Sequence, residues 1–332
     1  MTAGTLTTLA RRPRWLAPAT SVVTVGALAA GPFLLLPYAT ATLTRMLVFG
    51  LLAASLSVLV GLAGTPSLGH AAFFGAGAYA TAWTAVHQTS TVLALCAGTL
   101  VAAVLAALVG AVAVRTHGVW FLMFTLAVGE LLQQTADSWE PVTGGSNGLY
   151  GIPALAVGPL VADGPATTYW FVLIFFVLGM ATLWAVATSS FGTRLRAVRD
   201  SEDRMRALGH RATAVKWTAF LLAGAVAGLA GGLFAAQQRL VTPADLGFST
   251  SALALLAVVI GGSGSLWGPV LGAALVIAVR DVLGADLDGH GPLALGLLFV
   301  LVVYLLPGGF LRPRGAGPRP LPGIRLLRRD QR

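Results

Sequence analysis

The sequence predicts an all-α integral membrane protein, a polytopic bundle of about eight to ten transmembrane segments. Two observations lead to this fold class. Of the 332 residues, 56% are hydrophobic and only 10% are charged, whereas soluble domains carry roughly a quarter charged residues. Glycine is also frequent, with 41 residues, as is typical of membrane helices that pack closely or break around a pathway. This composition excludes a water-soluble fold.

Apolar runs long enough to cross ~30 Å of hydrocarbon recur along the chain. They fall near residues 16–36, 43–62, 70–88, 91–114, 118–136, 167–188, 214–237 and 292–310. The region 250–281 is also apolar, but glycines and serines cut it after Ile260, so it forms either two short spans or a re-entrant pair. The first run is longer than the ~7–15 residues of a signal-peptide core, so we expect it to be a retained span.

The basic residues indicate the orientation of the chain. No lysine or arginine occurs between Arg115 and Arg194, and seven then follow between Arg194 and Lys216. With the N-terminus inside and the spans alternating, 18 of the 21 basic residues fall on the cytoplasmic side, so both termini are expected there. Because these residues lie in loops and tails between apolar runs, they favour anionic lipid over nucleic acid as a partner.

The same alternation divides the chain into three parts. A short cytoplasmic tail is expected at 1–15, followed by a transmembrane domain at 16–311. Within that domain, a basic cytoplasmic loop is expected at 189–216 and an extracytoplasmic loop at 137–166. The arginine- and proline-rich end, 312–332, is expected to be a disordered, lipid-bound cytoplasmic tail.

Two glycine-rich segments interrupt the apolar pattern and are candidates for the halves of an inverted repeat. Non-helical backbone at membrane depth survives only where it is buried in protein or lines a wet cavity. Paired breaks of this kind often mark the substrate pathway of a transporter, although ordinary surface loops of small residues are the alternative. The candidate pathway residues in the two breaks are Gly61, Gly64, Ser67, Gly69 and His70, and Gly261, Gly262, Gly264 and Ser265.

Glu130 is the one acidic residue that falls well inside an apolar run. A carboxylate in hydrocarbon is costly and usually faces a cavity or a partner. Gln134 follows four positions later on the same helical face, so the two residues either line the pathway or make a structural contact with another chain. For His70, a structural hydrogen bond at a helix start and a role as a proton relay or ligand are both open.

The extracytoplasmic loop contains a glycine-rich turn that either lines the outer mouth or docks a solute-binding protein, unless it is a plain structural loop. Its residues are Thr143, Gly144, Gly145, Ser146 and Asn147. The sequence has no Gly-x-x-x-x-Gly-Lys-Ser/Thr motif, so we expect no ATP hydrolysis by this chain. It also has no metal-binding motif and a lone Cys96, and we expect neither a metal site nor catalysis.

Five segments, in this order, resemble the branched-chain amino acid permeases of ABC importers, and the LivM-type subunit more than its LivH-type partner. They are GLAGTPSLGHAAFFGAGAYATA (61–82), GVWFLMFTLAVGELLQQ (118–134), TGGSNGLYGIP (143–153), FGTRLRAVRDSEDRMRALGH (191–210) and VVIGGSGSLWGPVLGAAL (258–275). The resemblance implies a permease subunit of the bacterial cytoplasmic membrane. It also implies a second, LivH-type permease, two ATPases that hold ATP and magnesium, and an extracytoplasmic solute-binding protein as partners, with no cofactor on this chain.

In this family the basic loop looks like a segment that rests in a groove of the ATPase and couples its closure to transport. That role maps here onto Arg194, Arg196, Arg199, Asp200, Glu202, Ala207, Leu208 and Gly209. A short charged helix from Ser201 to Leu208, stopped by Gly209, would form a compact lever between two spans. His210 departs from the family, which usually has an aliphatic residue there.

The resemblance implies ATP-dependent import of branched-chain or other hydrophobic amino acids. Related permeases are thought to carry urea, short amides or small aromatic acids, and the substrate is left open between these classes. An ion-coupled secondary transporter acting alone is the competing class, with Glu130 as its coupling carboxylate. An intramembrane enzyme would need a paired nucleophile and base, which the sequence does not offer.

Overall fold

The computed structural model describes residues 26, 28, 31–32, 36–87, 90–154, 156–157, 160–161, 164–283, 291–305 and 309–310. The predicted tails, 1–15 and 312–332, and most of the first predicted span lie outside these residues. The α-helices are α1 (Pro37–Ser57), α2 (His70–His87), α3 (Thr91–Ala113), α4 (Val119–Ser138), α5 (Glu140–Thr143), α6 (Pro165–Thr188), α7 (Ser190–Asp200), α8 (Glu202–Ala207), α9 (Ala212–Gln238), α10 (Phe248–Gly261), α11 (Trp267–Ala278) and α12 (Gly291–Leu305).

Short irregular helices and strands complete the fold. Turns of π-helix continue α1 (Val58–Ala63) and α11 (Val279–Leu283), and 3₁₀ turns occupy Gly145–Asn147 and Pro243–Leu246. Four two-residue strands, β1 (Leu149–Tyr150), β2 (Ala156–Val157), β3 (Leu160–Val161) and β4 (Leu240–Val241), form two antiparallel pairs. The pairs are β1 with β4 and β2 with β3, with Leu149 opposite Val241 in the first.

The all-α, polytopic fold class is confirmed. Four helical segments of the described chain are long and apolar enough to cross a membrane: Pro37–Ala63, Thr91–Ala113, Pro165–Thr188 and Ala212–Gln238. Their bounds agree with four of the predicted apolar runs to within six residues at each end. The predicted total of eight to ten crossings also drew on α2, α4, the α10–α11 pair and α12, which are shorter or carry more polar residues.

The bundle has a buried centre and a lipid-facing periphery. Helices α1 and α9 are mostly buried, whereas α3 and α6 turn most of their surface outward. α9 packs against α2 and α3, while α1 packs against α6, α9 and α11. Phe49, Phe74 and Phe234 meet between α1, α2 and α9, with ring centroids 5.3–6.1 Å apart. These aromatic contacts join the two halves of the core.

Glycines allow α2, α3 and α9 to approach each other backbone to backbone. A Cβ on Gly77 would lie 2.7 Å from the carbonyl carbon of Gly228, and one on Gly231 would lie 2.8 Å from that of Phe74. A Cβ on Gly98 of α3 would likewise overlap the backbone of Gly77. Close approach through small residues is the usual way in which membrane helices associate, because lipid offers no hydrophobic drive.

The apolar region 250–281 forms a tight helical hairpin of α10 and α11. Gly272 faces Ala257 and Gly268 faces Gly261, at distances that leave no room for a side chain. The hairpin runs alongside α1, from Asp281 beside Arg45 to Ser263 beside Gly61. Sixteen residues of α1 separate those two levels, which corresponds to about 24 Å of helix. The hairpin, counted with its π-helical extension to Leu283, is therefore nearly as long as the ~30 Å hydrocarbon core is thick.

The two ends of the bundle carry different charged groups. At one end, His117 Nε2 in the α3–α4 turn lies 3.5 Å from the Glu202 carboxylate of α8. At the other end, Arg45 Nη1 donates to Asp281 Oδ2 at 2.6 Å, and Gln238 closes α9 beside it. The turn containing Arg115 and the predicted cytoplasmic loop thus share one end of the bundle. We call it the loop end below.

Candidate functional site: a loop helix pair and two glycine breaks

The segment predicted to couple to an ATPase folds as two short helices, α7 and α8. Ser189 begins α7 by accepting a hydrogen bond from the Gly192 amide, and Ser201 begins α8 in the same way with the Arg204 amide. Gly209 has φ of 82°, so it ends α8 in the left-handed region that favours glycine. The predicted helix, Ser201 to Leu208 with a stop at Gly209, agrees with this arrangement.

Three apolar side chains attach the α7–α8 pair to the bundle. Leu195, Val198 and Met205 are buried, and the last two pack with Ala212 at the start of α9. The opposite surface of the pair is open, and Leu208 is 74% exposed although it is aliphatic. All but one of the predicted coupling residues are exposed, namely Arg194, Arg196, Arg199, Asp200, Ala207, Leu208 and Gly209, while Glu202 is half-buried. This surface is available to a partner protein.

Glu202 is the centre of an ion-pair cluster that fixes α8 to its neighbours. Its carboxylate accepts from Arg206 at 2.7 Å and from the ammonium of Lys216, whose side chain is buried, and it lies near His117. Partial burial alone would raise the pKa of the Glu202 carboxyl. The hydrogen bond from Lys216 and the positive charges of Lys216, Arg206 and His117 outweigh that effect and lower the pKa.

Arg199 connects the helix pair to the first glycine break. Its guanidinium donates a hydrogen bond to the carbonyl oxygen of Gly61, in the π-helical end of α1. Its aliphatic stem packs on Gly64, where a Cβ would lie 2.9 Å from Arg199 Cγ. Gly64 has φ of 71°, which a glycine adopts without strain. The exposed loop and the end of a buried helix are therefore in direct contact.

The two glycine breaks meet each other. A Cβ on Gly61 would overlap the carbonyl oxygen of Ser263, so the first break packs on the tip of the α10–α11 hairpin. Gly309 in turn lies against Gly262, and the amide of Phe310 donates to the carbonyl oxygen of Ile260 at 3.0 Å. Gly261 and Gly262 are buried, Ser265 is half-buried and Gly264 is exposed. The structure therefore brings together residues about 200 positions apart in the sequence.

The later part of the first break is closed to solvent in this conformation. Ser67, Gly69 and His70 are buried, and the His70 Nε2 lies 2.8 Å from the Ser55 hydroxyl of α1. The same hydroxyl lies 2.7 Å from the Leu52 carbonyl oxygen, and when it donates there it is an acceptor for His70 Nε2–H. Ser251 of α10 also accepts from the Ala71 amide at 2.9 Å, which joins the start of α2 to the hairpin.

Glu130 and Gln134 lie on the open side of α4, apart from the two breaks. α4 contacts the bundle mainly through Phe121, Thr125 and Gly129, which are spaced four residues apart. Gly69 packs against Thr125 and Gly129, so the first break abuts the buried side of α4 while Glu130 faces outward. In the described chain these two polar residues therefore face away from the glycine breaks, although the sequence predicted all of them to line one pathway.

The predicted outer-mouth residues form a turn that is fastened to the bundle. The buried Thr143 hydroxyl lies 2.6 Å from the Ala136 carbonyl oxygen and 2.7 Å from that of Trp139. Gly148 fits against the backbone of Val241, and β1 pairs with β4 directly afterwards. Gly145 is buried and Gly144 half-buried, whereas Ser146 and Asn147 are exposed at the end opposite the loop end.

Several contributors to the site were not identified from the sequence. Ser55, Thr125 and Ser251 contact the breaks from distant helices, and small hydroxyl residues in apolar runs carry no pattern that would single them out. His117 also contributes, through its contact with Glu202, and its position in a one-turn connection beside Arg115 is the sequence signal that could have identified it. Among the described residues, no group of three His, Cys, Asp or Glu side chains could hold a metal ion.

The fold and the site together define a polytopic α-helical membrane protein with a polar helix pair at one end. A family model described as branched-chain amino acid transport system / permease component matches residues 38–306. The chain is 30% identical to the permease protein LivM of the high-affinity branched-chain amino acid transport system of Salmonella typhimurium. That match spans 301 residues, 81% of this chain and 68% of that protein. The LivM protein of Escherichia coli is also 30% identical, over 82% of this chain and 69% of its own length.

The chain belongs to the branched-chain amino acid transport permease family. It is also 31% identical over 196 residues to the autoinducer 2 import system permease protein LsrC of Salmonella paratyphi B. That match covers 57% of this chain and 54% of LsrC, so similarity extends to a permease with a different named cargo. No solved structure matches the chain.

Proposed function

We propose that this chain is one of two permease subunits of an ATP-dependent importer for branched-chain or other hydrophobic amino acids. The family membership and the two LivM relatives support the substrate class. The chain forms half of the translocation pathway, and a LivH-type subunit supplies the other half. Two ATPase subunits carry ATP and magnesium, and an extracytoplasmic solute-binding protein delivers the substrate.

The observation that carries the coupling part of the proposal is the contact of Arg199 with Gly61. The open surface of α7 and α8 is where the ATPases bind, and it includes an exposed aliphatic side chain, Leu208, among charged ones. A displacement of the helix pair would reach the end of α1 through the Arg199 guanidinium and stem. Since Gly61 packs on Ser263, the same displacement would reach the tip of the hairpin.

The loop end faces the cytoplasm in this proposal, and the membrane is the bacterial cytoplasmic membrane. The distribution of basic residues supports this orientation, because Arg115 and the basic residues of 194–216 gather at one end. The open side of α4, with Glu130 and Gln134, then faces the second permease subunit across the pathway. A carboxylate at membrane depth needs such a polar or wet surrounding.

Affinity capture of the tagged chain from its native membrane tests the assembly. Recovery of ATPase subunits and a second glycine-rich permease, both lost on deleting 194–210, is the expected result. Uptake of leucine by the reconstituted complex, driven by ATP, tests the substrate class. A chain that purifies alone and transports without ATP would be a secondary transporter instead, and the proposal would be wrong.

A second substrate class is kept because the similarity to LsrC, which is named for autoinducer 2 import, indicates that related permeases differ in cargo. Uptake assays with urea, short amides and small aromatic acids, in competition with leucine, distinguish it. Saturable uptake of one of these that leucine does not inhibit would assign the chain to that class. It would leave the coupling proposal intact.

A further inference from the structure

A cavity of about 480 Å³ opens at the loop end between the end of α3 and the start of α9. Three arginines and one histidine line it: Arg115, Arg206, Arg211 and His210. Among the described residues that line it, none is acidic. The ion-pair cluster of Glu202 lies next to the cavity, through Arg206, but most of the cavity's positive charge is outside that cluster.

The pairing of these arginines leaves an unbalanced positive charge. One guanidinium nitrogen of Arg206 donates to the Glu202 carboxylate at 2.7 Å, which neutralises part of the charge of Arg206. Neither Arg115 nor Arg211 forms an ion pair with a described residue, and both are exposed. A cavity with at least two uncompensated guanidinium groups favours a ligand that carries a negative charge.

The start of α9 adds to the positive electrostatic potential of the cavity. Ala212, Thr213 and Ala214, the first three residues of this 27-residue helix, line the cavity. The amides of Thr213 and Ala214 have no carbonyl partner within the helix, whereas the Ala212 amide donates to the His210 carbonyl oxygen at 3.0 Å. The positive end of the helix dipole lies at the same place. The first turn contains no acidic residue, and Arg211 makes no side-chain cap. Together with the arginines, this helix end is a site for phosphate oxygens.

The rest of the cavity is apolar and leads to the membrane-facing side of α3. Ala111, Val114 and the ring of Trp217 form its walls, and the Trp217 indole N–H donates to the Ala107 carbonyl at 2.9 Å. Further along α3, Leu100, Val104 and Leu108 are spaced four residues apart and are 52–66% exposed. The chain thus presents a continuous apolar strip that starts at a cationic cavity. A phospholipid has the matching shape, with a charged headgroup joined to an acyl chain.

We propose that this cavity binds the headgroup of an anionic phospholipid, with Arg115, Arg211 and the amides of Thr213 and Ala214 contacting its phosphate and an acyl chain lying along α3. Cationic cavities between membrane helices at the cytoplasmic side recognise such headgroups through the same groups. The lipid would hold the α3–α4 turn and the start of α9 together, next to the α8 helix. The inference concerns membrane embedding rather than transport, so it stands or fails independently of the proposed function.

Native mass spectrometry of the full chain tests the proposal. The protein is delipidated in detergent and titrated with phosphatidylglycerol, with phosphatidylcholine of the same acyl chains, and with inorganic phosphate. Phosphatidylglycerol is expected to bind one site that the other two probes do not fill. Arg115→Gln and Arg211→Gln should each weaken that binding about fivefold, and the double variant should weaken it on the order of 25-fold.

Two control variants separate a built site from general attraction. Arg204→Gln removes the same charge from an exposed position of α8 that does not line the cavity, and it should leave the binding unchanged. Arg115→Lys combined with Arg211→Lys keeps the charge and should retain most of the binding, which also reports on correct folding. An equal loss with Arg204→Gln would overturn the proposal. So would equal binding of phosphatidylcholine, or displacement of the lipid by inorganic phosphate at similar concentrations.

Discussion

Arg199 of α7 donates a hydrogen bond to the carbonyl oxygen of Gly61 at the end of α1, across 138 positions of sequence. The last carbonyls of a helix have no partner within it, and a guanidinium is a strong partner for them. One exposed side chain thus completes the hydrogen bonding of a buried helix. Arg199 also lies among the residues proposed to meet the ATPase. Its side chain therefore directly connects the open surface of α7 and α8 to the glycine breaks.

Replacing Arg199 tests that route. In the reconstituted complex, Arg199→Gln should lower ATP-driven leucine uptake about 5- to 10-fold while the ATPase activity of the complex is kept, since coupling free energies are about 1–3 kcal/mol. Arg204→Gln is the matched control, because it removes a guanidinium from the same proposed ATPase-binding surface at an exposed position that does not contact Gly61. A loss common to both variants reports on ATPase binding, and only the additional loss of Arg199→Gln reports on coupling through Gly61. Equal uptake by both variants would show that Arg199 carries no coupling.

The close packing of α2 on α9 predicts a stability effect of one methyl group. Gly231→Ala would place a Cβ 2.8 Å from the Phe74 carbonyl carbon and 2.9 Å from the Ala78 amide nitrogen. Neither backbone can move without shifting a helix, so we expect the free energy of unfolding to fall by about 1–3 kcal/mol. Tryptophan fluorescence during heating in detergent measures the change.

Gly296→Ala in α12 is the control for that variant. A Cβ there meets no atom of the described residues within 4 Å, and alanine favours a helix over glycine by up to about 1 kcal/mol. We expect unchanged or slightly raised stability for Gly296→Ala. The packing argument would fail if the two variants melted at the same temperature.

The lowered pKa of Glu202 predicts a pH-dependent stability. Its usual value is 4.5, and a carboxyl whose pKa is lower in the folded state stabilises the fold fully above that value. The contribution is lost as the pH falls through the lower, folded pKa. At pH 7, Glu202→Gln should therefore reduce the free energy of unfolding by about 1–2 kcal/mol, and the difference from the unaltered chain should shrink in acid. Thermal melts between pH 3 and pH 7, in steps of about half a pH unit, measure this difference in stability.

Two further variants test whether the ion pair between Glu202 and Lys216 causes the pH-dependent stability. Asp203→Asn removes an exposed charge from the same helix and should change neither the stability at pH 7 nor its pH dependence. Lys216→Met in the Glu202→Gln background should recover part of the loss, because it removes the buried ammonium that the first change leaves unpaired. If Asp203→Asn had the same effect as Glu202→Gln, the pair would not be the cause.

Glu130 distinguishes the two classes of transporter. A coupling carboxylate of an ion-driven carrier is essential, so Glu130→Gln would abolish uptake in that class. In the proposed importer ATP drives transport, and Glu130 is a polar residue of α4 that faces the second subunit. Glutamine keeps its size and polarity, so we expect uptake to stay within about threefold, a change of about 0.65 kcal/mol. Uptake measured with ATP, and separately with an imposed proton gradient, decides between them.

The helices could be predicted because the length of an apolar run is sufficient to locate a membrane helix in the sequence. The run 214–237 became α9, Ala212–Gln238, and the charged stretch after Ser201 became α8, ended by Gly209. The contacts could not be predicted in the same way. Gly61 and Ser263 meet only because α1 and the α10–α11 hairpin pack side by side, and a local pattern holds no information on which breaks will touch.

The two polar candidates of α4 show the same limit. Glu130 and Gln134 were rightly expected on one helical face, because their spacing fixes it. Which way that face turns depends on Phe121, Thr125 and Gly129, which bind α4 to the bundle through its other side. The sequence therefore indicated the polar stripe but not that it would point away from the glycine breaks.

The backbone-to-backbone packing of α2, α3 and α9 also makes these three helices one rigid body. Gly77, Gly98 and Gly231 each sit where only a hydrogen fits, so sliding one helix by a residue would drive a side chain into a neighbouring backbone. The three helices must travel as one body in any conformational cycle. The α10–α11 hairpin packs mainly on α1, where Gly61 leaves no room for a side chain against Ser263, and it meets α2 at the hydrogen bond between Ser251 and the Ala71 amide. A movement of the hairpin against the three helices would therefore break that hydrogen bond and displace the end of α1, beside the loop helices.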